Sequence, residues 1–412
     1  MKQRVQNIVV KTDISRPDPV SVSLILSARY VLPVTSPIIK DGAVYISNGV
    51  IKDIDKLSRL VKRYKIDVIE LGRGILMPGF INGHVHLELG AMQAKLDPKD
   101  DFPSWILEII RERLTLSRKK ASEAVETGIN TLLNSGVVGV GEISSLGIDK
   151  QYLQNSHLYT VLFKEVMSYR KLIKETYSAS PYMEERPFAH APYSTSSEVY
   201  IELSKRFDSY GTHISESIDE NKLVIGEQNN FIKRLSPLVR RKPLMKMSRS
   251  PVDYISKLGF LNKKATLVHC VHIDKQDFYT ISHQDAGIIL CPRSNAYLGV
   301  GLPNIELLYN YPRLGLGTDG LSSNYSLDMM DEIRFLYLIA RPILKSKAES
   351  FVINTATIGG ARALFIEDKL GSIDIGKLAG LIYLDIDVAK NIYLSIINTP
   401  SSAIKNLVWK LL

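Results

Sequence analysis

Apolar and polar positions along the chain fall into two regimes. Between residues 21 and 77 they alternate with a period near two: VSLILSARYVL, then AVYISNGVIKDI with Asn48-Gly49 at a reversal, then IDVIELG. Alternation broken by Asn-Gly predicts short strands that pair into a small sheet. From Ile75 onward, compact apolar runs alternate with longer stretches of helical character. The runs are ILMPGFIN, VVGVGEI (137–143), YTVLFKEV (159–166), PFAHA (187–191), GTHIS (211–215), ATLVHC (265–270), GIILC (287–291) and LGLGTD (314–319). Helical segments separate most of them, such as SWILEIIRERLTLSRKKASEAVETGINTLLNSG after the first and SLDMMDEIRFLYLIARPIL after the last. Eight strands joined by crossovers predict an α/β fold, a (β/α)8 barrel.

The end of the chain, GSIDIGKLAGLIYLDI and NLVWKLL, returns to short β segments. These are expected to rejoin the first strands, giving a small discontinuous β-sandwich domain (1–77 with 366–412) beside a catalytic barrel (78–365). A barrel of about 250 residues leaves room for such a domain in 412. Residues 1–20 read as a loose arm, and no internal repeat is present.

At 45% hydrophobic and 23% charged residues, the chain can bury a sizeable core, which excludes disorder and collagen-like repeats. No apolar run approaches the roughly 18 residues of a membrane span, and Met1 to Asp13 lacks the apolar core of a secretory signal, so a cytoplasmic protein without membrane contact is expected. Cys270 and Cys291 form neither a C-x-x-C pair nor a disulfide framework and read as small buried residues. The net charge of +9 is concentrated in 228–252, which carries Lys233, Arg234, Arg240, Arg241, Lys242, Lys246 and Arg249 with no acid and only Phe231 as an aromatic. Without interleaved aromatics this is not a single-strand groove, and no nucleic-acid partner is expected. A solvated loop is the simpler reading, and a lid attracting an anionic substrate is the alternative.

The chemistry lies in the polar residues that interrupt the strands. His84 and His86 form an H-x-H beside the first strand, and residues two apart in extended chain share a face, so both imidazoles can reach one ion. His213, His269 and Asp319 fall on the fifth, sixth and eighth strands, whose ends meet at one face of a parallel barrel. Three imidazoles and a carboxylate suit Zn²⁺ and also admit Fe²⁺. Such an ion lowers the pKa of bound water to about 7. Glu216, three residues after His213, is placed to carry a proton from that water to the substrate, whereas Glu220 reads as a helix-surface charge. His157 and His283 sit in helical or loop contexts and are left unassigned. Gly315-Leu-Gly317-Thr-Asp-Gly320 matches G-x-G-x-x-G, but it follows a late strand and contains Asp319, so it is not a dinucleotide fingerprint.

PGFINGHVHLE, HAPYS, HISES, LVHCVH, CPRSN and TDGLSSNYSLDMMDEIR together resemble the amidohydrolase superfamily, in its mononuclear deaminase and chlorohydrolase branch. Within it the sequence is most similar to aminofutalosine deaminases of the futalosine route to menaquinone, then to adenosine, methylthioadenosine and S-adenosylhomocysteine deaminases. The cues are H-x-H-x-E with Glu88, FPSW with Trp105, HAPYS, VDY at 252–254 and DGLSSN. The resemblance implies one metal ion held by His84, His86, His213 and Asp319, with Glu216 as proton shuttle and His269 orienting the attacking hydroxide. It also implies substrate contacts from His190, with Ser323 near the purine or ribose, Trp105 on the base and Glu88 at the site, and an enzyme that is often a homodimer. Arg111 or Arg113 could reach a substrate carboxylate, against a simpler reading as a solvated helix face. Lys164 could bridge a second metal, but it lies on the third strand rather than the fourth, which favours one ion. Glu142 and Arg293 read equally as mouth residues or interior ion pairs. Dechlorination of a triazine or opening of a cyclic amide is the alternative chemistry, and a non-catalytic scaffold the alternative class. Two departures stand out: Gly380 replaces an Asp common in the family's late GKxAD motif, and the chain stops at NLVWKLL without the usual closing turn and strand.

Overall fold

The computed structural model describes residues 23–407 apart from 94–95, 97–100, 168–176, 228 and 232–247. The arm 1–20, most of the basic stretch 228–252 and the last residues of NLVWKLL therefore lie outside the described residues. Arg249, at the edge of that stretch, pairs with Asp274 and Asp277.

The alternating N-terminal pattern folds as anticipated into β1 (Ser23–Val31), β2 (Ile39–Ser47) and β3 (Val50–Lys56), followed by the helix Leu57–Arg63 and β4 (Val68–Pro78). The β2–β3 reversal uses Asn48 and Gly49 at φ of 50° and 68°. Two successive left-handed residues are what a tight right-twisted hairpin requires. Rather than two facing layers, the described strands form one continuous sheet. β4 runs parallel to β1 and antiparallel to β14 (Leu381–Leu384), which in turn pairs with β15 (Ile404–Asn406), so the two ends of the chain join edge to edge. Both faces are apolar: Leu24, Leu26, Val44 and Ile51 pack on one, and Ile25 and Ala43 meet Leu60 of the helix on the other.

The eight-strand expectation holds. β5 (Phe80–Val85), β6 (Val137–Ser144), β7 (Tyr159–Val166), β9 (Met183–Ala189), β10 (Tyr210–Ile214), β11 (Ala265–His269), β12 (Gly287–Leu290) and β13 (Leu314–Leu316) form a closed parallel ring, with β13 returning to β5. A two-residue β8 (Ala179–Ser180) pairs antiparallel with β9 outside the ring. One boundary differs. The run ILMPGFIN is two strands: Ile75–Pro78 pairs with Leu381–Leu384 in the small sheet, and the barrel strand begins at Phe80. The Gly79 N–H donates to the Gly380 carbonyl between them, 2.9 Å away. A Cβ at Gly380 would lie 2.5 Å from Leu370 Cδ2, so a larger residue there would have to displace that side chain.

Outer helices bury one stripe each. In Arg118–Asn134 the buried residues are Ala121, Val125, Gly128, Ile129 and Leu132, the spacing of a single helical face. Cys270 and Cys291 are free and buried. Among the described residues, no helix is long and apolar enough to cross a membrane.

Candidate metal and proton-transfer site

The residues that interrupt the strands meet at the C-terminal mouth of the barrel. His84 lies within β5 and His86 just past its end, His213 on β10, His269 at the end of β11, and Asp319 beyond β13. Main chain holds several of them unusually: Ser215, His269, Cys270 and Asp319 all have positive φ, between 50° and 77°. Left-handed backbone costs an L-residue about 1–2 kcal/mol, which the surrounding packing must offset. The glycines of the false nucleotide motif serve the same mouth. A Cβ at Gly317 would lie 2.8 Å from the His84 backbone nitrogen, so only glycine lets this segment press against β5. The Asp319 N–H then donates to the His84 carbonyl at 3.0 Å.

His213 Nε2 lies 3.3 Å from His84 Nε2, and Asp319 Oδ1 lies 3.5 Å from His84 Nε2 and 3.7 Å from His86 Nε2. A tetrahedral ion with bonds of about 2.1 Å has ligand-to-ligand edges of about 3.4 Å, so these donors fit a zinc-like cation. His213 Nδ1 donates to the His190 carbonyl at 2.9 Å, which leaves the Nε2 lone pair facing the cluster. Burial pushes His86 down to about 4 and His213 well below its ordinary value, so both imidazoles are neutral and able to coordinate at pH 7. Burial alone would raise Asp319, but hydrogen bonding and the surrounding imidazoles, His84 foremost, hold it well below the usual carboxylate range. Ser294 and Ser323 donate to its Oδ2 at 2.7 and 2.8 Å, and the Gly320 N–H donates to Oδ1 at 2.8 Å.

Glu216, His269 and Asp319 form a second cluster on the adjoining side. Glu216 Oε2 lies 3.6 Å from His269 Nε2, and both residues are buried. Burial, then Asp319 and Glu220, raise Glu216 well above its ordinary value, which favours the form that carries a proton. Glu220 is not the surface charge its helical position suggests. In the helix Ile218–Val224, Glu220 is fully buried, and its carboxylate accepts the Glu216 N–H at 3.0 Å.

Further out, the half-buried His190 bonds through Nδ1 to the Ser194 hydroxyl, and its Nε2 lies 3.8 Å from Glu165 Oε1. The buried Glu165 accepts from Ser145 Oγ at 2.6 Å and lies 3.7 Å from Arg113 Nη1, whereas Arg111 is exposed. Trp105 packs with Phe102, Leu89, Met92, Phe231 and Leu298 in an apolar cluster built from segments that follow the strands, and its indole N–H has no partner. Glu88 is engaged elsewhere: its carboxylate accepts the N–H groups of Ser145, Leu146 and Ile148 and so fixes the loop after β6. Glu142 accepts the Leu87 N–H at 3.0 Å and stands beside Asp149, not in an ion pair. Arg293 is packed against Glu332 and the Tyr325 ring. Lys164 points at Glu185, 3.1 Å away.

The model of the amidohydrolase family matches residues 75–408. The chain belongs to the amidohydrolase family. As an amidohydrolase it is a metal-dependent hydrolase. It is 31% identical over 369 residues to an aminodeoxyfutalosine deaminase of a Nitratiruptor species, covering 85% of this chain and 88% of that one. Its fold matches a Helicobacter pylori aminofutalosine deaminase in complex with methylthio-coformycin at 22% identity and a TM-score of 0.82, covering 92% of this chain and 99% of that one. It also matches a Xanthomonas campestris adenosine deaminase with bound zinc at 20% identity and a TM-score of 0.79, covering 94% and 91%.

Three residues of this amidohydrolase site escaped the sequence reading. Glu165 neighbours Lys164 on β7, and two-residue alternation sends one side chain to Glu185 and the other into the mouth. Ser294 and Asn295 carry no charge and offered no titratable signal, yet they hold Asp319 and His269.

Proposed function

We propose that this chain deaminates the purine ring of an adenine-type nucleoside, with 6-amino-6-deoxyfutalosine as its substrate and futalosine as its product in menaquinone biosynthesis. The observation that carries the reading is the placement of a buried Glu216, 3.6 Å from His269 and clustered with Asp319, beside an imidazole and carboxylate set fit for one cation. The 31% identity to an aminodeoxyfutalosine deaminase supports the choice of nucleoside. His84, His86, His213 and Asp319 would hold one divalent ion, best suited to zinc. When bound, that ion would make a water nucleophilic near neutral pH. Because Lys164 is drawn to Glu185, it is not available to bridge a second ion.

The proton steps belong to the protein's own carboxyls. Asp319 accepts a proton from the attacking water, its carboxylate held in place by the Ser294 and Ser323 hydroxyls. Glu216 gives its proton to the ring nitrogen beside the amino-bearing carbon. Asp319 then passes its proton to the departing amine, which leaves as ammonia, and Glu216 recovers a proton from the new hydroxyl as the carbonyl forms. General acid–base help of this kind contributes about 10²–10⁴-fold. Trp105 and its apolar neighbours would cover the base, His190 would contact the nucleoside, Ser323 would fix Asp319 near the purine, and Glu88 would shape the mouth through the loop it holds.

A second reading is deamination of adenosine, methylthioadenosine or S-adenosylhomocysteine, favoured by the likeness to a zinc-bound adenosine deaminase and to a structure holding methylthio-coformycin. Ammonia release and product mass from metal-loaded protein separate the readings, using aminofutalosine, these adenosines, guanine and a triazine. Preference for aminofutalosine is the expected result. Turnover of the adenosines alone selects the second reading, and triazine turnover alone overturns both.

A further inference from the structure

The short helix Pro292–Tyr297 after β12 places two neighbouring side chains on two proton-handling groups. Ser294 holds Asp319, and Asn295 Nδ2 lies 3.1 Å from His269 Nδ1. Asn295 and His269 are both buried, so water does not compete for this contact. The start of this helix is anchored: the Arg293 N–H donates to Glu332 Oε1 at 2.9 Å, and the Asn295 N–H closes its first turn on the Cys291 carbonyl at 3.0 Å.

With its amide nitrogen turned to the ring, Asn295 donates, so His269 Nδ1 accepts and the ring proton sits on Nε2. Nε2 is the atom that faces Glu216 Oε2 at 3.6 Å. We infer that Asn295 is a positioning residue that fixes His269 as the Nε2–H tautomer, making that imidazole a hydrogen-bond donor toward Glu216 and the attacking oxygen, and not a metal ligand. His213 shows the opposite case one strand away, where Nδ1 meets a carbonyl that can only accept and Nε2 keeps its lone pair. The assignment also suits the proton carrier. Each time Glu216 gives up its proton, an Nε2–H steadies the carboxylate left behind, whereas a bare Nε2 lone pair would repel it. This deepens the deaminase reading and rests on it for the kinetic part of the test alone.

The test uses metal-loaded protein labelled with ¹⁵N-histidine, with His269 assigned by the signals lost in His269→Gln. Imidazole multiple-bond correlation spectra should show a protonated-type Nε2 and a lone-pair-type Nδ1 for His269, and the reverse for His213. The reverse pattern at His269 overturns the inference. In Asn295→Asp the new carboxylate can only accept, so the His269 tautomer should invert, and kcat should fall about 10²-fold with KM and metal content little changed. An Asn295→Asp protein with the wild-type tautomer or wild-type turnover also overturns it. Where that variant does not fold, the wild-type spectrum still decides. If none of the nucleosides is deaminated, the spectra test Asn295 independently of the substrate assignment.

Discussion

On the β5 and β10 side of the mouth, His84, His86 and His213 are placed mainly by main chain. A backbone carbonyl orients His213, and close packing of Gly317 fixes the His84 segment. On the proton-handling side, Glu216 just past β10, His269 at the end of β11 and Asp319 beyond β13 depend on side chains: Glu220, Asn295, Ser294 and Ser323. Main-chain partners survive substitution of their own residue, and side-chain partners do not. The donor half should therefore be robust to most neighbouring substitutions, and the proton-handling half should be adjustable one residue at a time.

The largest expected effects come from breaking each half at its centre. Glu216→Gln keeps shape and neutrality but cannot give up a proton, so it should retain metal while turnover falls by about 10²–10⁴-fold. Asp319→Asn touches both halves, because Oδ1 faces His84 and His86 while Oδ2 takes the two hydroxyls. It should lower activity and metal content together. Metal analysis after gel filtration, read beside ammonia release, checks both. Near-normal turnover in Glu216→Gln would remove it as the proton carrier.

Gly317→Ala probes the donor half through the backbone. Its methyl would press on the His84 segment, so overpacking should destabilise the protein by about 1–3 kcal/mol and weaken metal retention. Ser294→Ala probes the other half more gently. Asp319 keeps Ser323 and the Gly320 N–H, so losing one donor, a cost of about 0.5–1.5 kcal/mol, should reduce turnover severalfold with metal retained. Denaturant unfolding and metal analysis separate the two outcomes. A Ser294→Ala protein that loses its metal would erase the distinction between the halves.

How much of this was legible in the sequence depends on whether a residue's surroundings leave a mark in its neighbours. The strands were readable because runs such as VVGVGEI and GIILC are buried on both faces, and strand ends in a parallel barrel converge. The start of β5 was not, because ILMPGFIN stays apolar while it passes from one buried sheet to another, and only pairing reveals the change at Gly79. Glu220 was misjudged because helical spacing from Glu216 gives distance along a helix but not which face of that helix is buried. Asn295 was invisible for a different reason: a neutral amide acquires meaning only from the imidazole it meets at the end of the neighbouring strand.

That misjudged Glu220 gives the mildest and most specific contrast. Burial raises its carboxyl to about 8, from 4.5 in the unfolded chain. A raised folded pKa contributes stability that is complete below about pH 4.5 and is lost as pH rises through 8, since the native state must then ionise a buried group or keep binding a proton that the unfolded chain releases. Glu220→Gln removes this contribution while keeping an acceptor for the Glu216 N–H. In metal-free protein, unfolding stability should therefore decline less steeply between pH 5 and 8 in the variant than in the parent. Glu216 adds a slope of the same sign to both proteins, so the difference between the two curves reads Glu220 together with its push on Glu216. Parallel curves would mean that the helix leaves Glu220 open to water, and the side-chain support of the proton-handling half would then begin at Glu216 itself.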